Sequence, residues 1–273
     1  MVNMGNVWDR TTEFLSDNVG AILPIAALAI LLPQTIALLI KPDSPAESTM
    51  LLQVIGLALT IPSLWGQLAI VALSLDPDAG RSPAIAAGTR ALGPAIIVML
   101  VLFAAVIVAA IPIVVALVAG GVDLEAMMKG GTQIGLTGGT RTFVLLYGVV
   151  LVVALFVLSV RMAMLCPVIV AEKTMLGAIG RSFALGRGIL WKMIGVWLVF
   201  FLVYTVAYMA ATSVVGALFG LISPDPGQYS VGHIVVALLG ALVTTAFRLL
   251  IAAFSAKLYL AATAAREGSA PRA

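Results

Sequence analysis

From Asn18 to Ile40 the chain carries no charged side chain, and runs of this kind recur along its length. Crossing the hydrocarbon core of a bilayer takes about 20 consecutive apolar residues in a helix. Charge-poor runs of sufficient length predict six membrane spans, with expected limits near 18–40, 48–75, 93–119, 142–171, 193–220 and 231–265. Strands are disfavoured, because the runs are long and lack alternation of apolar and polar residues. Backbone groups in lipid must bond within their own segment, so helices follow. The expected fold is all-α: a polytopic membrane helix bundle, with residues 1–273 as a single integral membrane domain.

Composition agrees with lipid as the outer solvent. Of 273 residues 62% are hydrophobic and 10% charged, against roughly 25% charged in an ordinary soluble domain. The single Cys166 excludes an intramolecular disulfide, and the single His233 excludes the usual two- or three-histidine ligand sets. Neither a cofactor nor a metal is expected. A net charge of +3 is no argument for nucleic acid, and none is expected as a partner. Asp9, Glu13 and Asp17 stand where a secretory leader carries Lys or Arg, so the first apolar run is expected to stay in the membrane.

Basic residues in the connections set the orientation. Arg81 and Arg90 lie between spans two and three; Lys173, Arg181, Arg187 and Lys192 between four and five; Arg266 and Arg272 after six. The opposite side holds Lys41, Lys129 and Arg141, and the connection from Ser223 to Ser230 holds no basic residue. The expected arrangement places both termini in the cytoplasm of a bacterial cell, with the chain in the cytoplasmic (inner) membrane.

The chain also repeats itself. A shift of 94 residues lays 83–92 over 177–186, Gln67 over Arg161 and Asp78 over Glu172. A weaker third copy pairs Thr11–Leu15 with these segments and Lys257 with Arg161. The unit reads as a short in-plane amphipathic helix followed by two spans, used three times in one orientation, unlike an inverted repeat.

The most distinctive text runs from Cys166 to Trp191. With Pro167 and Glu172 at the end of a span, then Ala178, Arg181, Ser182, Leu185, Gly188 and Trp191, it resembles the membrane domain fused to some bacterial glycerophosphoryl diester phosphodiesterases and found also as stand-alone proteins. Thr11 to Pro24 is similar to that family's entry helix. The fused enzymes carry a soluble barrel with a His-Arg-Gly and paired acidic ligands; here His233 is followed by Ile234 and Val235, and the length leaves no room for a barrel of about 250 residues. The resemblance therefore implies the membrane part without the phosphodiesterase activity, and no catalytic residue comes with it.

Between Lys173 and Trp191, Met175, Leu176, Ile179 and Phe183 share one helical arc, while Lys173, Arg181 and Arg187 share another. Such a helix lies at the interface with its basic side towards anionic headgroups. Arg161, Lys173, Arg181, Arg187 and Lys192 are the candidate headgroup contacts; a simple topology anchor is the other reading. Arg161 is expected late in the fourth span and Arg248 late in the sixth, both towards the cytoplasmic ends where long side chains can snorkel, and Arg161 would share a face with Glu172 if the helix continued through Pro167. Tyr204, Tyr208 and Thr212 make a polar seam on span five, open to two readings: bonding between helices, or a substrate passage. Gly216 and Gly220 suit close helix contact. The glycine-rich run 130–139 lacks a Gly-Lys-Ser/Thr ending and reads as a connector.

All twelve carboxylates fall in connections or at span borders, whereas ion-coupled carriers keep one near the midplane and hydrolases need a carboxylate pair or metal ligands. The expected function is a non-enzymatic membrane module, a lipid-interacting scaffold whose partners are anionic headgroups at the cytoplasmic face. The alternative is a permease or exporter for an apolar or zwitterionic solute.

Overall fold

In the computed structural model, residues 2–40, 49–123, 138–222 and 230–267 are described. Lys41, Lys129, Arg272, most of the 130–139 run and most of the Ser223–Ser230 connection lie outside the described residues. The described chain is helical throughout and contains six helices long and apolar enough to cross a membrane, which makes it a multi-pass integral membrane protein.

A short helix, α1 (Met4–Asp17), comes first. Its N-cap Asn3 accepts a hydrogen bond from Gly5 N at 3.0 Å, satisfying one of the amides a helix start leaves open. After a break at Asn18 the first span, α2 (Val19–Leu39), follows, with a π turn at Ala27–Leu31 between Pro24 and Pro33. The second span is α3 (Met50–Leu75), capped by Thr49. It ends where Asp76 Oδ1 accepts from Ala79 N and Gly80 turns through φ +80°, a conformation that suits glycine.

The sequence suggested an in-plane helix and then a separate third span starting near Gly93. The structure instead joins them into one helix, α4 (Arg81–Ala119), of 39 residues. Pro94 lacks only the N–H that would reach the Arg90 carbonyl, and the helix carries on through it. At about 58 Å, α4 is nearly twice the hydrocarbon thickness, so its first turns project beyond the apolar layer.

The fourth span divides into α5 (Gly138–Arg161) and α6 (Leu165–Glu172). The break at 162–164 falls one turn before Pro167, whose ring disfavours a helical carbonyl at Ala163. Lys173 ends α6 in the left-handed region at φ 52°, a helix-stop geometry more often filled by glycine. Then come the short α7 (Gly177–Leu185), the fifth span α8 (Leu190–Met209, continuing through a π turn at Ala210–Val214 to Ile222), and α9 (Val231–Glu267).

The spans are not equivalent. The second helix of each expected repeat lies inside: α3 packs on α9, α3 on α6, and α9 on α6, so these three meet at one end of the bundle. The first helix of each unit sits outside, α2 against α3 and α9, α4 against α3 and α5, α8 against α5 and α9. Packing concentrates at the convergent end, where Leu68, Ile70 and Leu73 of α3, Met164 and Ile169, and Leu258 of α9 are fully buried. Towards the other end Leu100, Phe103, Val149, Val150, Phe201 and Leu202 are exposed, surface that lipid solvates and water would not. The convergent end is also the basic end, since Arg81 and Arg90, Lys173 to Lys192, and Arg266 all belong to it.

Candidate functional site: the basic end of the bundle

Cations at this end fall into two sets, those that build the structure and those that face outwards. Arg161 belongs to the first. At the α5–α6 break its guanidinium lies 5.3 Å from the centre of the Phe183 ring on α7, while Ser182 Oγ donates to the Arg161 carbonyl at 2.8 Å. Each contact closes α7 onto the break, and a cation over an aromatic face adds about 0.5–1 kcal/mol at a partly exposed site.

The suggested pairing of Arg161 with Glu172 gives way to another one. The helix does not continue through Pro167 in register, and Glu172 instead accepts from Arg181 Nε at 2.9 Å and from Tyr259 Oη at 3.1 Å. One carboxylate thus ties α6, α7 and α9 together. Its hydrogen bond to Arg181 makes the guanidinium hold its proton more firmly than free arginine does.

Lys257 repeats the Arg161 arrangement on the next unit. Its Nζ lies 4.8 Å from the Phe14 ring centre of α1 and donates to the Ser74 carbonyl at 2.8 Å. Ser74 is among the last residues of α3, where carbonyls lack helical partners, so the ammonium serves as a C-terminal cap on a neighbouring helix. Arg266 does the same for α7 by donating to the Ala184 carbonyl. The pairing of Lys257 with Arg161 and of the Thr11–Leu15 region with α7, read from the repeat, thus has a geometric counterpart: a cation of the inner span on the aromatic ring of a short helix, the one that follows it for Arg161 and the first helix of the chain for Lys257.

The outward set is Lys173, Arg187 and Lys192, together with Arg81 and Arg90, all exposed. Lys192 opens α8, and its Nζ lies 3.5 Å from the Val2 carbonyl at the mouth of an apolar cavity. Of the five candidate headgroup contacts, Arg161 and Arg181 are therefore engaged within the protein, and Lys173, Arg187 and Lys192 are presented to the surroundings.

The polar seam packs on α9. Tyr204 Oη lies 3.3 Å from Thr244 Oγ1, and its ring meets Phe247 edge-on at 5.3 Å and Tyr208 at 5.7 Å. Thr212 donates to its own helix at the Tyr208 carbonyl, and Gly240 lets Tyr208 and Thr212 approach α9. Gly216 faces Val236 in ordinary contact. Arg248 lies seventeen residues into the 37-residue α9 and beside Tyr204, nearer the middle of the span than its end.

No protein-family model matches the chain, and no curated protein or solved structure matches it either.

Sequence reasoning missed Phe14, Phe183, Tyr259 and Ser74 as partners of the charged groups. The repeat held a usable signal for the first two, since both precede their spans by similar distances. Nothing in the sequence marked Tyr259 or Ser74, which are brought in only by the crossing of α9 with α6 and α3.

Proposed function

We propose that this protein is a non-enzymatic, lipid-interacting scaffold of the bacterial cytoplasmic membrane, of the type of the membrane domain found with glycerophosphoryl diester phosphodiesterases, with both ends in the cytoplasm. The supporting observation is the division of labour at the basic end. Arg161, Arg181, Lys257 and Arg266 hold the short helices in place, and the platform so formed presents Lys173, Arg187 and Lys192, with Arg81 and Arg90, at one end of the bundle. Each exposed cation near an anionic leaflet contributes about 1 kcal/mol of attraction.

Native mass spectrometry of gently purified protein tests this reading. Anionic phospholipid is expected to be retained in preference to zwitterionic phospholipid, and the total retained should fall in a Lys173→Ala, Arg187→Ala double variant. Equal retention of both lipid classes contradicts the reading, and lipid hydrolysis by pure protein contradicts its non-enzymatic part.

The carrier reading draws on Arg248, because an ionisable side chain well inside a span is costly and marks solute pathways in many transporters. Flux of a zwitterionic solute into vesicles, abolished by Arg248→Met, would favour it. The seam offers it no support, since Tyr204 and Thr212 are occupied by helix contacts.

A further inference from the structure

A cavity of about 1150 Å³ lies between α8, α9 and the start of α1, somewhat larger than the usual small-molecule site of about 300–1,000 Å³. Its two long walls are helical faces, Val199 and Val203 on α8 opposite Phe247 and Leu250 on α9. Part of its lining is aromatic: the Phe200 ring meets Phe254 edge-on at 5.4 Å and Trp8 at 5.9 Å. Gly195 leaves a gap in the α8 wall, and a Cβ placed there would touch no atom within 4 Å.

The mouth differs from the walls. Lys192 stands there with Trp191, and the first residues of α1 cross above, with Asn3 among them. Among the described residues no aspartate or glutamate lines the cavity, and the charge they present there is the positive one of Lys192. From Lys192 to Val203 the wall runs eleven residues, about 16 Å of helix. That is about half of a hydrocarbon core of about 30 Å, the depth of one leaflet.

The geometry points to a binding site for a single anionic phospholipid, with an acyl chain laid between α8 and α9 and the phosphate on Lys192. This rests on the lipid-interacting reading and sharpens it, from a diffuse basic platform to one built site of fixed stoichiometry. The occupant follows from the lining. An acyl chain of one leaflet's depth needs an apolar slot about 16 Å long, and an anionic headgroup needs a cation without a competing carboxylate. Lys192 meets the second condition because its contact is a neutral backbone carbonyl, which leaves ammonium protons for a phosphate.

The test is a titration of the full-length protein with phosphatidylglycerol and, separately, with phosphatidylcholine of the same acyl chains, read as the first lipid adduct by native mass spectrometry. Three variants are compared: Lys192→Gln for the charge, Gly195→Leu for the slot, and the Lys173→Ala, Arg187→Ala double variant for the platform outside it. The first phosphatidylglycerol adduct should weaken about fivefold in Lys192→Gln, the ratio corresponding to about 1 kcal/mol of surface attraction. It should weaken at least as much in Gly195→Leu and stay unchanged in the double variant. Circular dichroism should show unaltered helicity in Gly195→Leu, as the open space at that position implies. A first adduct insensitive to Gly195→Leu, or one equally strong with phosphatidylcholine, overturns the site. A first adduct lost only in the double variant also overturns it while leaving the wider platform reading intact; retention of neither lipid removes both.

Discussion

The cations of the basic end contribute unequally, and the difference is set by what each one faces. Lys257 donates to a carbonyl that α3 cannot satisfy, and hydrogen bonds to charged groups contribute about 1.5–3 kcal/mol. Lys257→Met should therefore lower the unfolding free energy by about 2 kcal/mol, read by thermal or denaturant unfolding in mild detergent. Glu172 and Arg181 form an ion pair at 2.9 Å, but both side chains are partly open to solvent, at 27% and 43% exposure, and such pairs contribute about 0–1 kcal/mol. Glu172→Gln should cost no more than about 1 kcal/mol. A loss in Glu172→Gln larger than that in Lys257→Met would contradict this ranking. Tyr204→Phe removes one hydrogen bond between α8 and α9, for which about 0.6 kcal/mol is the typical loss within a membrane.

Between elements, close approach of backbones does what burial of apolar surface does in water. Lipid is as apolar as leucine, so helices gain from tight contact and small residues rather than from hiding greasy ones. Gly88 shows the limit: a Cβ there would lie 2.8 Å from Ala69 N and 2.9 Å from Ala69 Cα, both backbone atoms of α3. Gly88→Ala is expected to push α4 off α3 and destabilise by about 1–3 kcal/mol, whereas Gly93→Ala, which meets open space on the same helix, should stay within about 0.5 kcal/mol. Equal effects at both glycines would contradict the α3–α4 packing. The spans themselves were legible in the sequence because a charge is costly in hydrocarbon, so Asp17, Asp76 and Lys192 mark where helices leave it. Helix continuity was not legible. The third span reads as starting near Gly93, apart from an in-plane helix before it, yet α4 runs through both, while the break at 162–164 falls before Pro167 within a stretch that reads as one span. Which proline interrupts a helix depends on whether a neighbour takes up the freed carbonyls; Ser182 of α7 does so for Arg161.

At the scale of the whole molecule, three inner helices converge at one end and three outer helices fill between them, as three copies of one unit would. The basic residues of the connections, legible as a group, gather at that convergent end. The cavity beside Lys192 was not legible, because its walls come from α1, α8 and α9 and each wall residue, taken alone, looks like any lipid-facing side chain. Convergence also explains why so many charges could be used internally. Helix ends brought together leave carbonyls facing one another's surfaces, and Lys257 and Arg266 answer two of them. The functional account requires this end to face the anionic cytoplasmic leaflet. Two single-cysteine variants in a Cys166→Ala background, Arg187→Cys at the basic end and Val122→Cys at the other, measure that directly with a membrane-impermeant thiol reagent. In intact cells stripped of their outer envelope, Val122→Cys should be labelled at once and Arg187→Cys only after the membrane is opened. Labelling of Arg187→Cys in the intact cells, with Val122→Cys protected, would turn the bundle over and contradict the account.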